Sequence, residues 1–430
     1  MRVAFVTFGC KVNTYETQCM RECFLSHGFE ESAVSAADVI VINSCTVTQT
    51  ADRKLLKEMR SLKKSCPGAL ICLTGCYPQA HKDENSDVFE LSDIISGTSE
   101  RELLPQRVMS FLSGSSIKRG AGEWEKEIST LTVSYSEGHT RGYIKIQDGC
   151  DMRCSYCIIP DARGHMRSKP VEVIKREVSA LAESGCTEIV LVGINIMFFG
   201  REFGLDISHA VQAAAENESI RRVRISSVEP ERMDIPLLMR LRAEEKFCPS
   251  FHLSLQSGCD TVLKRMRRHY DTALYSETVS NIRSMFEDAA ISTDIMTGFP
   301  EETREEHRIS MDFVESMGFA RVHVFPFSLR KNTPAQSMVQ VPRDTVKRRA
   351  AEMTVLSEKL SLAYNQKYIG KSLEVLFERE RSDGTHRGHS KNYLNVELEE
   401  KLPFSLKGQY KDVLITSAGT NTLRGSISDK

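Results

Sequence analysis

The sequence predicts an α/β protein made of three units: a small parallel α/β domain, a larger partial (β/α)6 barrel and a C-terminal all-β barrel. Short apolar runs alternate with amphipathic stretches over most of the chain, which is typical of parallel sheets covered by helices. From residue 371 onward, apolar and polar residues alternate between turn formers, which indicates a small all-β barrel. The length of 430 residues exceeds what one compact core normally holds.

The first unit is predicted over residues 1–115. Its strands and helices are expected, in chain order, at Met1–Phe8, Tyr15–His27, Val39–Asn43, Ala51–Lys64 and Leu70–Thr74. The opening apolar run is short and ends in Gly-Cys, so it is interpreted as a strand and not as a signal peptide. Residues 116–130 are rich in Gly, Ser and charge and are predicted to form a linker.

The central unit is predicted over residues 131–368. Its six strands are expected at Gly142–Gln147, Glu188–Val192, Val223–Val228, Phe251–Gln256, Ser292–Met296 and Arg321–Phe327. Amphipathic helices are expected at Val171–Ser184, Pro236–Lys246, Leu274–Asp288 and Thr303–Met317, with a long charged helix at Asp344–Ile369. Six β/α repeats suggest a parallel sheet curved into an incomplete barrel. Residues 369–430 form the predicted all-β module.

Composition narrows the class of protein. The chain is 40% hydrophobic and 27% charged, and its mean hydropathy of −0.30 fits a globular protein. No run of about 18 apolar residues is present, which argues against a transmembrane helix and favours a cytoplasmic location. Thirteen cysteines in a reducing compartment indicate metal binding or redox catalysis more than disulfides. The net charge of −1 neither suggests nor excludes a nucleic-acid partner.

The most specific motif is Cys150-x3-Cys154-x2-Cys157, which follows the first strand of the central unit. Three soft thiolates on one short loop suit an iron–sulfur cluster. Three ligands on a four-iron cluster leave one iron open to a small chelating molecule. A zinc loop that lacks its fourth ligand is the competing interpretation.

A second set of cysteines comes from the first unit. Cys10, Cys45 and Cys76 each stand just past a predicted strand, and the carboxyl ends of parallel strands share one edge of a sheet. The three thiols are therefore expected to converge, although three ordinary buried cysteines would give the same pattern. The other seven cysteines are interpreted as structural: Cys19, Cys23, Cys66, Cys72, Cys186, Cys248 and Cys259.

The C-x3-C-x-aromatic-C pattern, with Tyr156 as the aromatic residue, resembles the radical S-adenosylmethionine superfamily. The resemblance implies a [4Fe–4S] cluster whose open iron is chelated by S-adenosylmethionine. Reductive cleavage of that cofactor would give a 5′-deoxyadenosyl radical.

A closer resemblance, to the methylthiotransferase family, covers nearly the whole chain. It rests on ordered motifs: TFGCKVNTYET, NSCTVT, TGCYPQ, IKIQDGCDMRCSYCIIPDARGHMRS, RISSVEP, HLSLQSG and VFPFSLRKNTPA. The domain order also resembles that family, with an N-terminal methylthiotransferase domain, a radical core and a small RNA-binding barrel of the TRAM type. The last 60 residues resemble it mainly by position and pattern.

The residues after the first cysteine help to separate the branches of this family. Cys10-Lys11-Val12-Asn13 resembles the branch acting on threonylcarbamoyladenosine in tRNA, as do Gln147–Cys150 and Arg265–Arg268. The isopentenyladenosine branch usually has Gln-Met-Asn after the cysteine, and the ribosomal-protein branch has Pro-Lys-Asn. Those two substrates remain the alternatives.

The resemblance implies two [4Fe–4S] clusters with different tasks. The cluster on Cys150, Cys154 and Cys157 would generate the radical, and the one on Cys10, Cys45 and Cys76 would carry or donate sulfur. Two S-adenosylmethionine molecules would be used per product, one as methyl donor and one as radical source. The implied partners are the tRNA anticodon loop, modified at position 37, and a small redox protein as electron donor.

Four further residues are candidates for binding the cofactor. By analogy, Tyr156 lies near its adenine and Asn195 ends the second core strand near its methionine part. Glu229 follows the third strand, where a carboxylate would suit ribose hydroxyls or the amino group, although a charge at a helix N-terminus is an equal alternative. Gln256 ends the fourth strand, with a structural hydrogen bond as the competing role.

Two loops depart from the family pattern. Glu301, after Gly298-Phe299-Pro300, and Lys331-Asn332 replace residues that commonly include glycine. These replacements put the local loop conformations in question.

An RNA substrate requires positive surface, because phosphate neutralisation dominates such affinity. The candidate patches are Arg221-Arg222-Arg224, Lys264–His269 and Lys347–Arg349, with Lys391, Tyr393, Lys407 and Arg424 in the terminal barrel. For the first three patches, a solvated helix face is the commoner role of such residues, whereas the mix of basic and aromatic residues in the barrel suits backbone tracking and base stacking. The competing class of protein is a non-catalytic iron–sulfur electron carrier, which requires neither a large β/α core nor an RNA-like module.

Overall fold

The computed structural model describes residues 1–84, 86–114, 119–122, 124, 127–129, 131–135 and 140–428. These residues form a six-stranded parallel sheet with helices, a curved array of parallel strands with helices outside it, and a closed five-stranded barrel. The predicted fold class is confirmed.

The first sheet has the strand order β2-β1-β3-β4-β5-β6 and is parallel throughout. Its elements are β1 (Arg2–Thr7), α1 (Lys11–Ser26), β2 (Glu30–Glu31), β3 (Val39–Ser44), α2 (Gln49–Ser65), β4 (Leu70–Gly75), α3 (Cys76–Ala80), α4 (Asp87–Glu90), β5 (Ile94–Ser96), α5 (Leu104–Leu112) and β6 (Arg119–Gly120). Strand β3 is an unbroken apolar run because both of its faces are covered. Ile40 and Ile42 pack with Met59 of α2, whereas Val41 packs with Phe24 of α1 on the other face.

About half of the predicted linker, 116–130, lies outside the described residues. Within it, Arg119–Gly120 form β6, whose backbone pairs in parallel with Ile95–Ser96 of β5. Chain beyond residue 115 therefore still contributes to the first sheet.

The central unit continues the β/α alternation. Its elements are β7 (Arg141–Asp148), α6 (Ile159–Arg163), β8 (Arg167–Ser168), α7 (Val171–Glu183), β9 (Glu188–Gly193), α8 (Ile207–Ala215), β10 (Arg222–Ile225), α9 (Ile235–Ala243), β11 (Ser250–His252), α10 (Asp260–Arg265), α11 (Thr272–Met285), β12 (Ala290–Thr297), α12 (Arg304–Met317), β13 (Arg321–Pro326) and α13 (Arg343–Gln366). Among the described helices, none combines the length and the apolar character needed to cross a membrane.

Six parallel strands of this unit form the partial barrel, in two sheets ordered β10-β9-β7 and β11-β12-β13. The two sheets are joined by single parallel bridges, Val223 to Phe247 and Val228 to Leu253. The predicted third and fourth strands are too long, since they end at Ile225 and His252. At the junction between β10 and β11, the strands are joined by isolated bridges and not by a continuous ladder of hydrogen bonds, because the sheet curves there.

The two loops that depart from the family pattern adopt the backbone that glycine favours. Glu301 has φ of 64° and Asn332 has φ of 63°, both in the left-handed region. Asparagine tolerates that region better than glutamate does, because its short polar side chain can bond locally. Both loops therefore keep a glycine-type conformation at some cost in strain.

The C-terminal barrel consists of β14 (Ser372–Glu380), β15 (His386–Ser390), β16 (Asn395–Leu398), β17 (Tyr410–Ala418) and β18 (Leu423–Ile427), closed in the order β14-β15-β16-β18-β17. It docks on the central unit through buried arginines of β10. Arg222 donates to the Glu374 backbone at 2.8 Å, and Arg224 donates to the Ser390 backbone at 2.8 Å. The carboxylate of Glu188 on β9 neutralises Arg224 at 2.7 Å.

Candidate functional site

The first set of cysteines lies at one edge of the N-terminal sheet. Strand pairing places Ser44 of β3 beside Gly75 of β4, so the residues that follow them, Cys45 and Cys76, leave adjacent strand ends. Cys10 follows β1, the strand on the other side of β3. Gly9 has φ of 110°, and a Cβ atom there would lie 2.8 Å from the Cβ of Cys45. Glycine thus allows the Cys10 turn to pack directly on Cys45.

The electrostatics of these thiols reflect their burial and their proximity. Burial, together with the neighbouring thiols of Cys76 and Cys10, raises the pKa of Cys45 to about 12. Burial also raises the pKa of Cys76, and the nearby Arg163 guanidinium opposes that rise. The thiolate forms therefore require a positive charge at the site, which metal coordination supplies.

The second set lies on the loop between β7 and α6. Gly149, with φ of 75°, turns the chain against His165, and the Cys150 amide donates to the Gly164 carbonyl at 3.0 Å. Ser155 fixes the middle of the loop, because its amide and hydroxyl donate to the carbonyls of Met266 and Arg265. Burial raises the pKa of Cys157 to about 12, with Cys154 as the next cause.

The donor chemistry of both sets suits iron–sulfur clusters. Each provides three thiols within electrostatic range of one another and offers soft ligands. Among the described residues, no three His, Cys, Asp or Glu side chains are close enough to share a single metal ion. Cluster ligands bind different irons, so they need not crowd around one ion.

Tyr156 and Glu229 meet beside the second set of cysteines. The Tyr156 ring packs edge-on against Phe299, with centroids 6.3 Å apart. Burial raises the pKa of Glu229 to about 7, and Arg268, which forms an ion pair with Glu229, opposes that rise. Arg268 also donates to the Cys154 sulfur at 3.3 Å. Sequence reasoning missed Arg268 as a site residue.

Asn195 and Gln256 occupy two further strand ends. The Asn195 amide N–H donates to Gln147 at 2.7 Å, while its side chain hydrogen-bonds Cys150. Its buried side-chain oxygen has no partner among the described residues, so an acceptor is available near the loop. Gln256 has φ of 67° and makes backbone hydrogen bonds to Asp294 and Met296 of β12. These hydrogen bonds fix the backbone of Gln256 at the strand end, and the role of its side chain stays a prediction.

Arg163 links the helix that follows the second set of cysteines to Cys76 of the first set, and sequence reasoning missed it. It ends α6, close after Cys157 in the chain, and its side chain is fully buried. Its guanidinium donates to the Cys76 sulfur at 3.2 Å and to the Asn13 side chain at 2.8 Å. The only signal in the sequence was its place within the motif IIPDARGHMRS.

A buried network holds Arg163 in this position. Glu16 of α1 accepts from Arg163 at 2.5 Å, from Lys145 at 2.9 Å and from Arg101 at 3.1 Å. Asp148 of β7 accepts from Lys145 at 3.0 Å. The three cations hold the pKa of Glu16 at about 2 despite burial, which by itself would raise it. The N-terminal domain and the central unit are thus joined by compensated charges next to Cys76.

A cavity of about 960 Å³ opens where all three units meet. Cys10 and Lys11 line it from the N-terminal domain, Ile159 and Ser226 from the central unit, and Tyr393 from the terminal barrel. Cys10 therefore faces the same space as α6, which follows the second set of cysteines. The volume is ample for a nucleoside-sized group.

Part of each predicted basic patch of the central unit is buried. Arg222 and Arg268 are buried in ion pairs, and Arg349 is buried against Glu302 at 2.6 Å. They stabilise packing and do not present charge on the outer surface. The exposed candidates that remain include Lys347, Lys407 and Arg424.

Two known families match this chain, one in the central unit and one in the N-terminal domain. Residues 144–314 match the Radical SAM superfamily. Residues 2–97 match the "Uncharacterized protein family UPF0004".

Similar proteins span nearly the whole chain. The "Threonylcarbamoyladenosine tRNA methylthiotransferase MtaB" of Thermotoga maritima is 33% identical over 92% of this chain and 91% of its own. The "tRNA-2-methylthio-N(6)-dimethylallyladenosine synthase" of Pelotomaculum thermopropionicum is 31% identical over 98% of this chain and 97% of its own. The solved radical S-adenosylmethionine methyltransferase TsrM from Kitasatospora setae, 14% identical, covers 78% of this chain and 77% of its own with a TM-score of 0.55, which supports the fold alone.

The buried network predicts a pH-dependent effect of Glu16→Gln. Because the folded carboxyl stays ionised to lower pH than in the unfolded chain, its contribution to stability is present above about pH 4.5 and is lost as the pH falls toward 2. The variant should lose about 3 kcal/mol of unfolding free energy at pH 6–7.

Urea unfolding from pH 7 down to pH 3 measures this difference, which should shrink as the acid limit is approached. The exposed Glu90→Gln is the control and should behave as wild type throughout. A Glu16→Gln variant as stable as wild type at pH 7 would show that the network does not hold the domains together.

Proposed function

The chain belongs to the methylthiotransferase family of radical S-adenosylmethionine enzymes, and on that basis we propose that it methylthiolates C2 of N6-threonylcarbamoyladenosine at position 37 of tRNA. The observation that carries the proposal is that Cys10 lines the same cavity as Ile159 of α6, the helix that follows the second set of cysteines, while Arg163 of that helix donates to the sulfur of Cys76. A sulfur-bearing group at Cys10 and a radical source near Cys150, Cys154 and Cys157 would then act on one base.

Membership of the superfamily implies S-adenosylmethionine and a [4Fe–4S] cluster as cofactors. Cys150, Cys154 and Cys157 would hold this cluster, and Cys10, Cys45 and Cys76 would hold a second one that carries sulfur. When bound, these groups supply radical and sulfur-transfer chemistry, with two S-adenosylmethionine molecules used per product and a small redox protein as electron donor. With tRNA as its substrate, the enzyme would work in the cytoplasm.

The chain's own residues prepare the site for that chemistry. Arg268 donates to the Cys154 sulfur and would stabilise the thiolate of a cluster ligand. Tyr156, Asn195, Glu229 and Gln256 would line the cofactor site. Burial raises the pKa of Glu229 to about 7 against the opposing effect of Arg268, and the ion pair with Arg268 holds this carboxyl group at the edge of the site, where it can bind amino or hydroxyl donors.

A second candidate substrate is N6-dimethylallyladenosine. It is favoured by the 31% identity, over nearly full length, to the dimethylallyladenosine synthase. The identity to the threonylcarbamoyladenosine enzyme is similar, at 33%, so the substituent on the base must be identified by experiment. A non-catalytic electron carrier would need no cavity of this size.

Nucleoside analysis of bulk tRNA tests the proposed substrate. In a strain lacking the gene, mass spectrometry should show loss of 2-methylthio-N6-threonylcarbamoyladenosine and accumulation of the unthiolated nucleoside, and plasmid-borne wild type should restore the product. Selective loss of the methylthiolated dimethylallyl nucleoside would instead support the second candidate.

Cysteine variants separate the roles of the two sets. Cys154→Ala should abolish reductive cleavage of S-adenosylmethionine to 5′-deoxyadenosine, because it removes a ligand of the radical-generating cluster. Cys45→Ala should keep that cleavage but form no thiolated RNA. Anaerobic assays with chemical reductant measure both products.

Cys66→Ala is the matched control, since this half-buried cysteine belongs to neither set. It should retain both cleavage and thiolation. Retained cleavage in Cys154→Ala would refute the assignment of the radical site.

A further inference from the structure

A cluster of cations lines one wall of the central cavity, around the ring of Tyr393. The Lys11 ammonium lies 5.7 Å from the ring centroid, and the guanidinium carbons of Arg141 and Arg224 lie 5.1 and 4.9 Å from it. The ring of His389 also stacks on Tyr393, with centroids 4.5 Å apart. The wall thus gathers three positive charges from the first and second units around an aromatic residue of the third.

Two of these cations already have partners in the protein. Arg224 is bound by Glu188 at 2.7 Å, and Arg141 is bound by Glu378 at 3.2 Å. Within the part of the chain that the structure describes, no carboxylate oxygen lies within 4.0 Å of the Lys11 ammonium. Of the three cations of this wall, Lys11 is therefore the one whose ammonium group is available to form an ion pair with a ligand.

The rest of the cavity supplies little negative charge. Among the described residues that line it, Asp294 is the one carboxylate, and His252 contacts it at 3.1 Å. Arg321 adds a further cation to the lining. A space with excess positive charge favours an anionic ligand.

The backbone of Tyr393 indicates that its position is specialised. Its φ of 69° lies in the left-handed region, which is unfavourable for a bulky aromatic residue. Strain of this kind persists where the surrounding structure enforces it, and such positions cluster at ligand sites. The strained turn brings the ring to Lys11 and the two arginines.

The two candidate substrates differ in the substituent on N6 of the adenine, which is the group that would contact this wall of the cavity. In threonylcarbamoyladenosine the threonine is attached through its amino group, which leaves its carboxylate free and negatively charged. The dimethylallyl substituent is an uncharged hydrocarbon. Only the former gives Lys11 a partner within a cavity that also contains Cys10.

We propose that Lys11, positioned beside Tyr393, binds the carboxylate of the threonylcarbamoyl substituent and thereby selects this substrate over the dimethylallyl one. This inference rests on the proposed function and identifies the residue responsible for its specificity. A backbone phosphate of the RNA is the other anion that a lysine could bind here, and the experiment distinguishes the two.

Binding of an anticodon stem–loop RNA to the cluster-loaded protein provides the test. One RNA carries N6-threonylcarbamoyladenosine at position 37, and a second carries its carboxamide, which differs only in the lost negative charge. Fluorescence anisotropy with wild type should show roughly 10- to 100-fold tighter binding of the acid, as expected for a charged hydrogen bond. This arm uses unaltered protein, so it does not depend on the folding of a variant.

Protein variants complete the comparison. Lys11→Met should bind the two RNAs equally, with an unchanged affinity for the carboxamide, and should raise the KM for the acid more than it lowers kcat. Lys11→Arg should retain most of the preference. Lys54→Met, an exposed lysine of α2, should keep the wild-type ratio, and iron content should match wild type in every variant.

Three outcomes would overturn the inference. Wild type binding both RNAs equally would exclude a carboxylate contact. Lys11→Met losing the same affinity for both would assign Lys11 to a phosphate. Full methylthiolation of the acid RNA by Lys11→Met with an unchanged KM would refute its role in selection but leave the proposed function intact, whereas wild type that thiolates only dimethylallyl RNA would refute the proposed function itself.

Discussion

The arrangement of this protein depends on one buried guanidinium. Arg163 belongs to the central unit but donates to the sulfur of Cys76 in the N-terminal domain, and it is neutralised there by Glu16. A fully buried arginine is tolerated only when its charge is compensated and its donors are satisfied. That requirement fixes how the N-terminal sheet sits on the first β/α repeat, and so fixes the position of Cys76 relative to α6, the helix that follows the second set of cysteines.

The central cavity follows from this docking and from the docking of the terminal barrel. Glu188 neutralises Arg224, which in turn donates to the backbone of the barrel and keeps Tyr393 at the cavity wall. Each unit then contributes a different chemical property to one space. The first contributes Cys10 and Lys11, the second the strand ends of its barrel, and the third an aromatic surface. Neither cavity nor wall exists in any unit alone.

The sequence predicted the fold class and the convergence of strand ends because both depend on local patterns. The apolar run of β3 predicts a buried strand from six neighbouring residues, and Gly9 predicts a tight turn from its position directly before Cys10. The burial of arginines depends on distant partners, so a basic run that contains Arg268 was interpreted as RNA-binding surface. Its partners, Cys154 and Glu229, lie far away in the chain. The third and fourth core strands were overextended, since barrel curvature is a property of the whole sheet.

Photo-crosslinking tests most directly the claim that the cavity receives the substrate base. A tRNA stem–loop with an azide at C2 of the N6-threonylcarbamoyladenosine at position 37 would be irradiated on the protein and the labelled peptides identified by mass spectrometry. Labels are expected near Cys10, Ser226 and Tyr393, which line the cavity from its three sides. Labels confined to the outer surface of the terminal barrel, around Lys407 and Arg424, would contradict the account.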